Sequence, residues 1–266
     1  MIATLACVGR HARWVLAGGS VAAMFLPDIS AFLRPALPAL VSMVLALAMA
    51  RIDLGATAHA ALRPARLARL VAIAALLMPG TAILYGTLGR LISPDTGAVL
   101  IYLAAAPPIA SGAGLCFLLG YNARLAIEIT VTATLLTPIL GPLAVGLMLP
   151  EATGLSPLAL ATDLAAMVFG GILGAIVLRY GIGPDRIARN APVFDGCAAL
   201  AMLLFVFPLF DKVLALIVAA PLTAAYVLIL CVVFNIGANI LTQRILATRL
   251  PKADAGAAGI VMGNRT

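Results

Sequence analysis

Few side chains in this sequence could do chemistry, so the few polar ones in apolar surroundings carry the argument. Glu128 lies in the run ARLAIEITVTATLLTPILGP, about one helical turn into an apolar stretch. An ionisable group within a membrane span is costly and is paired or functional. Its bland counterpart is a carboxylate near the membrane end, reaching water beside Arg124 four residues earlier. Asn235, Asn239 and Gln243 recur every four residues and so share one helix face. They would line a cavity or hydrogen-bond neighbouring helices as packing contacts. Asp163 and Asp195 are further isolated acids. Paired histidines, a Ser/His/Asp set and an HExxH helix are all missing, and the acids are scattered over different segments, which argues against an enzyme. Cys7, Cys116, Cys197 and Cys231 form no CxxC pair, and His11 and His59, two isolated histidines near membrane ends, make no metal site.

These residues must be positioned by membrane-spanning helices. Of 266 residues, 64% are hydrophobic and 10% charged, far from the quarter charged of a soluble domain. The net charge of +7 does not point to nucleic acid, because the basic residues sit in short clusters between apolar runs. Eight spans follow from the pattern: residues 12–26, 33–50, 70–92, 97–120, 124–149, 157–178, 192–210 and 221–246. A ninth apolar, Gly-rich segment starts at Asp254 and stops at Thr266, which leads to the expectation of a C-terminal truncation. With the N-terminus cytoplasmic and one crossing per span, thirteen Lys and Arg fall inside and only Arg34, Arg90 and Lys212 outside, Arg265 aside. That bias predicts a multi-pass protein of the inner membrane with the N-terminus inside.

The fourth span is interrupted. Its middle, APPIASGAG over 106–114, cannot continue a helix: proline lacks a donor and clashes with the preceding turn, and glycine is loose. Freed backbone groups must be buried in protein or line a cavity, and a Gly/Pro-broken span points to a transporter's binding site. A simple kink or a turn between two short spans is the alternative. If the chain comprises two five-span halves of opposite orientation, the ninth segment is the partner of the fourth, and Gly256, Gly259 and Gly263 suit a second break.

The run over residues 104–142 resembles the bile acid:sodium symporter family. It has proline and small residues, a serine at Ser111, a short apolar half-helix, a Gly-containing turn, and then ATLLTPILGP. The second span, PALPALVSMVLALAMARIDL, is similar to the family's span ending in an Asp-Leu signature. The likeness extends from residue 15 onward. It implies an all-α polytopic membrane protein of ten helices in inverted five-helix repeats, with broken, crossing fourth and ninth helices. Residues 1–150 would form the first repeat, with panel helices over 12–50 and core helices over 70–149. Residues 151–266 would form an incomplete second, with panel helices over 157–210 and core helices over 221–266. It further implies a secondary transporter moving a small organic anion with sodium.

The departures from the family pattern modify that expectation. Gly112 stands where an asparagine helps bind sodium, Gly259 where an acid stands, and Gly263 where a glutamine stands; Asn264 is kept and Arg265 follows. A hard cation needs oxygen ligands. Of the implied sodium ligands only Ser111, Thr134 and Asn264 keep an oxygen side chain, so use of the standard sodium sites is not expected. Ser111, Gly112, Asn235, Asn239, Asn264 and Arg265 are the expected substrate-binding set. Arg265 is expected to take the place of the missing cation and to pair with Glu128. Proton coupling through Glu128, ordinary sodium symport, and a channel or sensor on the same fold are the alternatives.

Overall fold

A computed structural model describes residues 2–51, 63–109, 112–149, 156–210 and 212–265. Those residues are helical, with no strand among them. Among the described residues, six helices are long and apolar enough to cross a membrane: α3 (Pro27–Ala50), α4 (Pro64–Arg90), α7 (Ala123–Met148), α8 (Pro157–Ile182), α10 (Ala191–Phe210) and α12 (Pro221–Ala247). This is an all-α, multi-pass membrane protein. Shorter helices are α1 (Ile2–Arg10), α2 (Ala12–Met24), α5 (Pro94–Ala105), α6 (Gly112–Leu118), α9 (Pro184–Arg189), α11 (Val213–Ala219) and α13 (Lys252–Met262).

Proline sets many of the boundaries. Pro27, Pro64, Pro94, Pro157, Pro184 and Pro221 open helices, where the missing N–H costs nothing and φ is already suitable. Inside α4, Pro79 is absorbed by a π-helical turn over Leu76–Gly80, a usual way to tolerate a lost hydrogen bond. That helix begins at Pro64, earlier than the apolar run suggests. Arg66 and Arg69, which read as loop residues in the sequence, therefore lie on it.

The chain forms two compact units, each discontinuous in sequence. One comprises Met1–Leu54 and Ala166–Ala225, the other Gly55–Ala165 and Tyr226–Thr266. In the first, α10 packs on α1, α2 and α3. Ser42 donates to the Met167 carbonyl at 3.0 Å, and Arg179 donates to the last carbonyl of α3 at Ala50, 3.2 Å away. Asp195 pairs with Arg51 there.

In the second unit the tightest packing is between the Thr81–Arg90 half of α4 and α5. A Cβ on Gly89 would stand 2.9 Å from the Gly97 Cα and 3.0 Å from its nitrogen. Backbone atoms there cannot turn aside as a side chain can. Gly89→Ala is expected to cost about 1–3 kcal/mol by overpacking. Gly18→Ala in α2, with nothing within 4 Å, should instead gain up to about 1 kcal/mol through helix propensity. Thermal unfolding of the two variants beside the parent checks both signs.

Candidate functional site

The candidate site is built where α5 and α13 end. α5 is started by Ser93, whose Oγ accepts from the Thr96 N–H at 3.1 Å, and the Thr96 hydroxyl meets Tyr226 Oη at 2.7 Å. The helix stops at Ala105. Ala106 turns to φ −68°, ψ 144°, the extended conformation that a following proline imposes. The next two residues, Pro107 and Pro108, carry no N–H at all.

Backbone freed by this break pairs with the segment that follows α13. α13 ends at Met262, the Gly263 N–H closing onto Gly259 O at 2.9 Å. The chain then extends, and Arg265 pairs antiparallel with Pro108 in a single β-bridge. The Ile109 N–H donates to Asn264 O at 2.9 Å. Buried backbone groups must find partners, and in a membrane they must find them in protein. Here the segments that follow α5 and α13 supply each other.

Arg265 is 1% exposed. Its Nη1 donates to the carbonyl of Ala104, in the last turn of α5, and to Thr81 Oγ1 at 3.3 Å; Nη2 lies 3.7 Å from Met262 Sδ. The carbonyl end of a helix carries a partial negative charge, and a guanidinium placed there is stabilised by it. The C-terminal ends of α5 and α13 both reach this point, so the backbone favours a cation. Sodium would need such carbonyl and hydroxyl oxygens, and the guanidinium already holds them. These two oxygens are therefore not free to hold sodium.

The expected pairing of Arg265 with Glu128 does not form. Glu128, 2% exposed, accepts two bonds from Arg66 Nη2, at 2.6 and 2.8 Å, and one from Arg66 Nε at 2.9 Å. Arg124 Nε lies 3.3 Å away on the same helix. The reason is the early start of α4, which brings Arg66 to α7 as a forked, bidentate partner. The carboxylate is also not solvated at a membrane end, since it is buried.

The other expected residues fall as follows. Ser111 lies outside the described residues. Gly112 is buried, and a Cβ there would lie 3.6 Å from Val261 and 3.9 Å from Asn264 Nδ2, which places α6 beside the end of α13. Thr134 donates to Thr130 O of its own helix at 2.8 Å, the usual local bond of a helical threonine. Thr130 Oγ1 is buried and makes no hydrogen bond among the described residues. Asn235 Oδ1 accepts from the Arg265 N–H at 3.4 Å, and Gln243 donates to Asn239 Oδ1 at 2.7 Å. Their face of α12 lies against α13. A Cβ on Gly263 would stand 2.5 Å from both Asn235 O and Asn239 Cβ, so this contact requires glycine. Glycine at 263 is a packing requirement as well as a lost amide.

Sequence reasoning missed Thr81, the Ala104 carbonyl and Arg66. Only Arg66 had a side-chain signal, a cation with i,i+3 companions ahead of an apolar helix. A cavity of about 370 Å³ opens beside it, lined by Arg63, Arg66, Arg69, Asn122, Leu125 and Asp254 among others. The chain matches no protein-family model, and no curated protein matches it.

Proposed function

We propose that this protein is a secondary transporter that carries a small organic anion across the membrane by alternating access. It is related to the bile acid:sodium symporters but independent of their sodium sites. One observation carries the reading: two interrupted segments meet through backbone pairing at Pro108 and Arg265. Irregular backbone at membrane depth is tolerated where it is enclosed by protein or lines a cavity, and in carriers such breaks form the transport site. The interleaving of the two compact units supports a panel drawn from residues 12–50 and 157–210 and a core drawn from 70–149 and 221–266, in inverted repeats. The organic-anion class rests on the sequence resemblance. The arginine distribution supports an inner-membrane protein with its N-terminus in the cytoplasm.

Sodium independence rests on Arg265, a tethered cation on the Ala104 carbonyl and the Thr81 hydroxyl. The test is a thermal-unfolding screen of the purified chain with carboxylates, sulfonates and bile salts, each in sodium and in potassium. Any stabilising anion is then followed by counterflow in proteoliposomes. Saturable uptake accelerated by internal anion, with no sodium requirement, is the expected result. A sodium-specific stabilisation would return the protein to ordinary sodium symport. Uptake that does not saturate would make it a pore, and binding without uptake a sensor.

A further inference from the structure

Independently of the transport reading, the arginine-lined cavity has the composition of a binding site. Arg63, Arg66 and Arg69 recur at i,i+3 spacing from the residue that precedes α4. All three line the cavity. Arg66 is committed to Glu128 and so forms a fixed wall. The side chains of Arg63 and Arg69 make no hydrogen bond or ion pair among the described residues. Asp254 lines the same cavity, itself held by Asn122 Nδ2 at 2.8 Å. The lining thus carries three cations and one anion, and the Glu128 charge just behind it is offset by Arg124. The first turn of α4 contains no acidic residue, so the positive end of that helix adds to the excess. The cavity's volume lies within the usual range for a small-molecule site, roughly 300–1,000 Å³.

Its walls are graded. Arg63 and Arg69 supply planar donor forks, while Leu70, Ile73, Leu125 and Leu250 supply an apolar floor. Guanidinium forks match phosphate oxygens bidentately, and basic pockets between membrane helices hold anionic headgroups. We infer that this cavity binds a phosphate-bearing anion through Arg63 and Arg69, on a wall fixed by the Arg66–Glu128 pair.

The experiment uses the full chain in a neutral detergent at constant ionic strength. Three probes are titrated while thermal unfolding is followed: dihexanoyl phosphatidylglycerol, dihexanoyl phosphatidylcholine and inorganic phosphate. Phosphatidylglycerol is expected to give a saturable rise that phosphatidylcholine, whose phosphate is masked by its choline cation, does not give. The double variant Arg63→Gln/Arg69→Gln should weaken that apparent affinity about ten-fold, through loss of two charge-assisted contacts. A saturable rise with inorganic phosphate as well would identify the bare phosphate group as the ligand. A rise with the lipid alone would identify the headgroup. No saturable rise with either probe, or a rise undiminished in the double variant, overturns the inference and leaves these arginines as solvated charges. If the double variant does not fold, Arg63→Gln and Arg69→Gln are measured singly. Each should weaken affinity about three-fold, and undiminished affinity in both overturns the inference equally.

Discussion

Replacing Arg265 with alanine is expected to make the stability of this protein depend on sodium. The guanidinium is buried, and it satisfies the Ala104 carbonyl and the Thr81 hydroxyl. Its removal orphans the Ala104 carbonyl, at about 1–3 kcal/mol, while the Thr81 hydroxyl keeps its bond to Met78 O at 3.3 Å. It also relieves the desolvation of a buried charge, an effective penalty of several kcal/mol. The two terms oppose each other, so absolute stability is a poor readout. Cation selectivity is a sharp one. The vacated space is bordered by a carbonyl and a hydroxyl at the negative end of a helix, a setting for a hard cation. Sodium at ten times its dissociation constant would stabilise the variant by about 1.4 kcal/mol, by mass action. The parent should show no sodium-specific shift, and neither should Arg265→Met, whose longer apolar side chain fills the space. Thermal unfolding in sodium, potassium and choline chloride distinguishes these cases. Equal curves for Arg265→Ala in all three salts would remove the tethered-cation reading.

The second large effect is an asymmetry within one ion pair. Glu128 is 2% exposed on its side chain, Arg66 40% and Arg124 72%. Arg66→Gln leaves a buried carboxylate with one cation, the largely exposed Arg124 at 3.3 Å. Breaking a buried pair costs 3–5 kcal/mol, and the exposure of Arg66 places this case near about 3. Glu128→Gln leaves an arginine that can turn to water and an amide that can still accept a hydrogen bond, at about 1–2 kcal/mol. The arginine variant should therefore be the less stable of the two. Their combination should cost less than the sum, because the residues form one network. Unfolding of the two singles and the double gives all three values.

Much of the fold was legible because apolar runs and their punctuation are local signals. Pro27, Pro94, Pro157 and Pro221 each open a helix, and the interruption at Pro107-Pro108 follows from their missing donors. The Asn235, Asn239, Gln243 stripe was equally legible as one face. What that face meets was not, since the partners are Gly259 and Gly263, which stood out in the sequence as a break and as lost ligands rather than as a close backbone contact. Arg265 stood out as a charge in an apolar segment. Its partners could not, because one is a backbone carbonyl, which has no sequence signature, and the other a threonine 184 residues away. Glu128 was assigned the wrong partner because Arg66 falls before the apolar run of its helix, where arginines ordinarily mark membrane sidedness.

The pairing of the segment after α5 with the segment after α13 also imposes an order on biogenesis. Ala104 and Arg265 stand 161 residues apart in the chain. At ribosomal rates of about 5–20 residues per second, the first interruption is made roughly 8–30 s before its partner exists. During that interval the unpaired backbone around Ile109 cannot face lipid without a cost of several kcal/mol per group. The nascent protein must hold this segment in a hydrated or insertase-lined setting until the later strand arrives. Release into the bilayer is thus coupled to formation of this pairing.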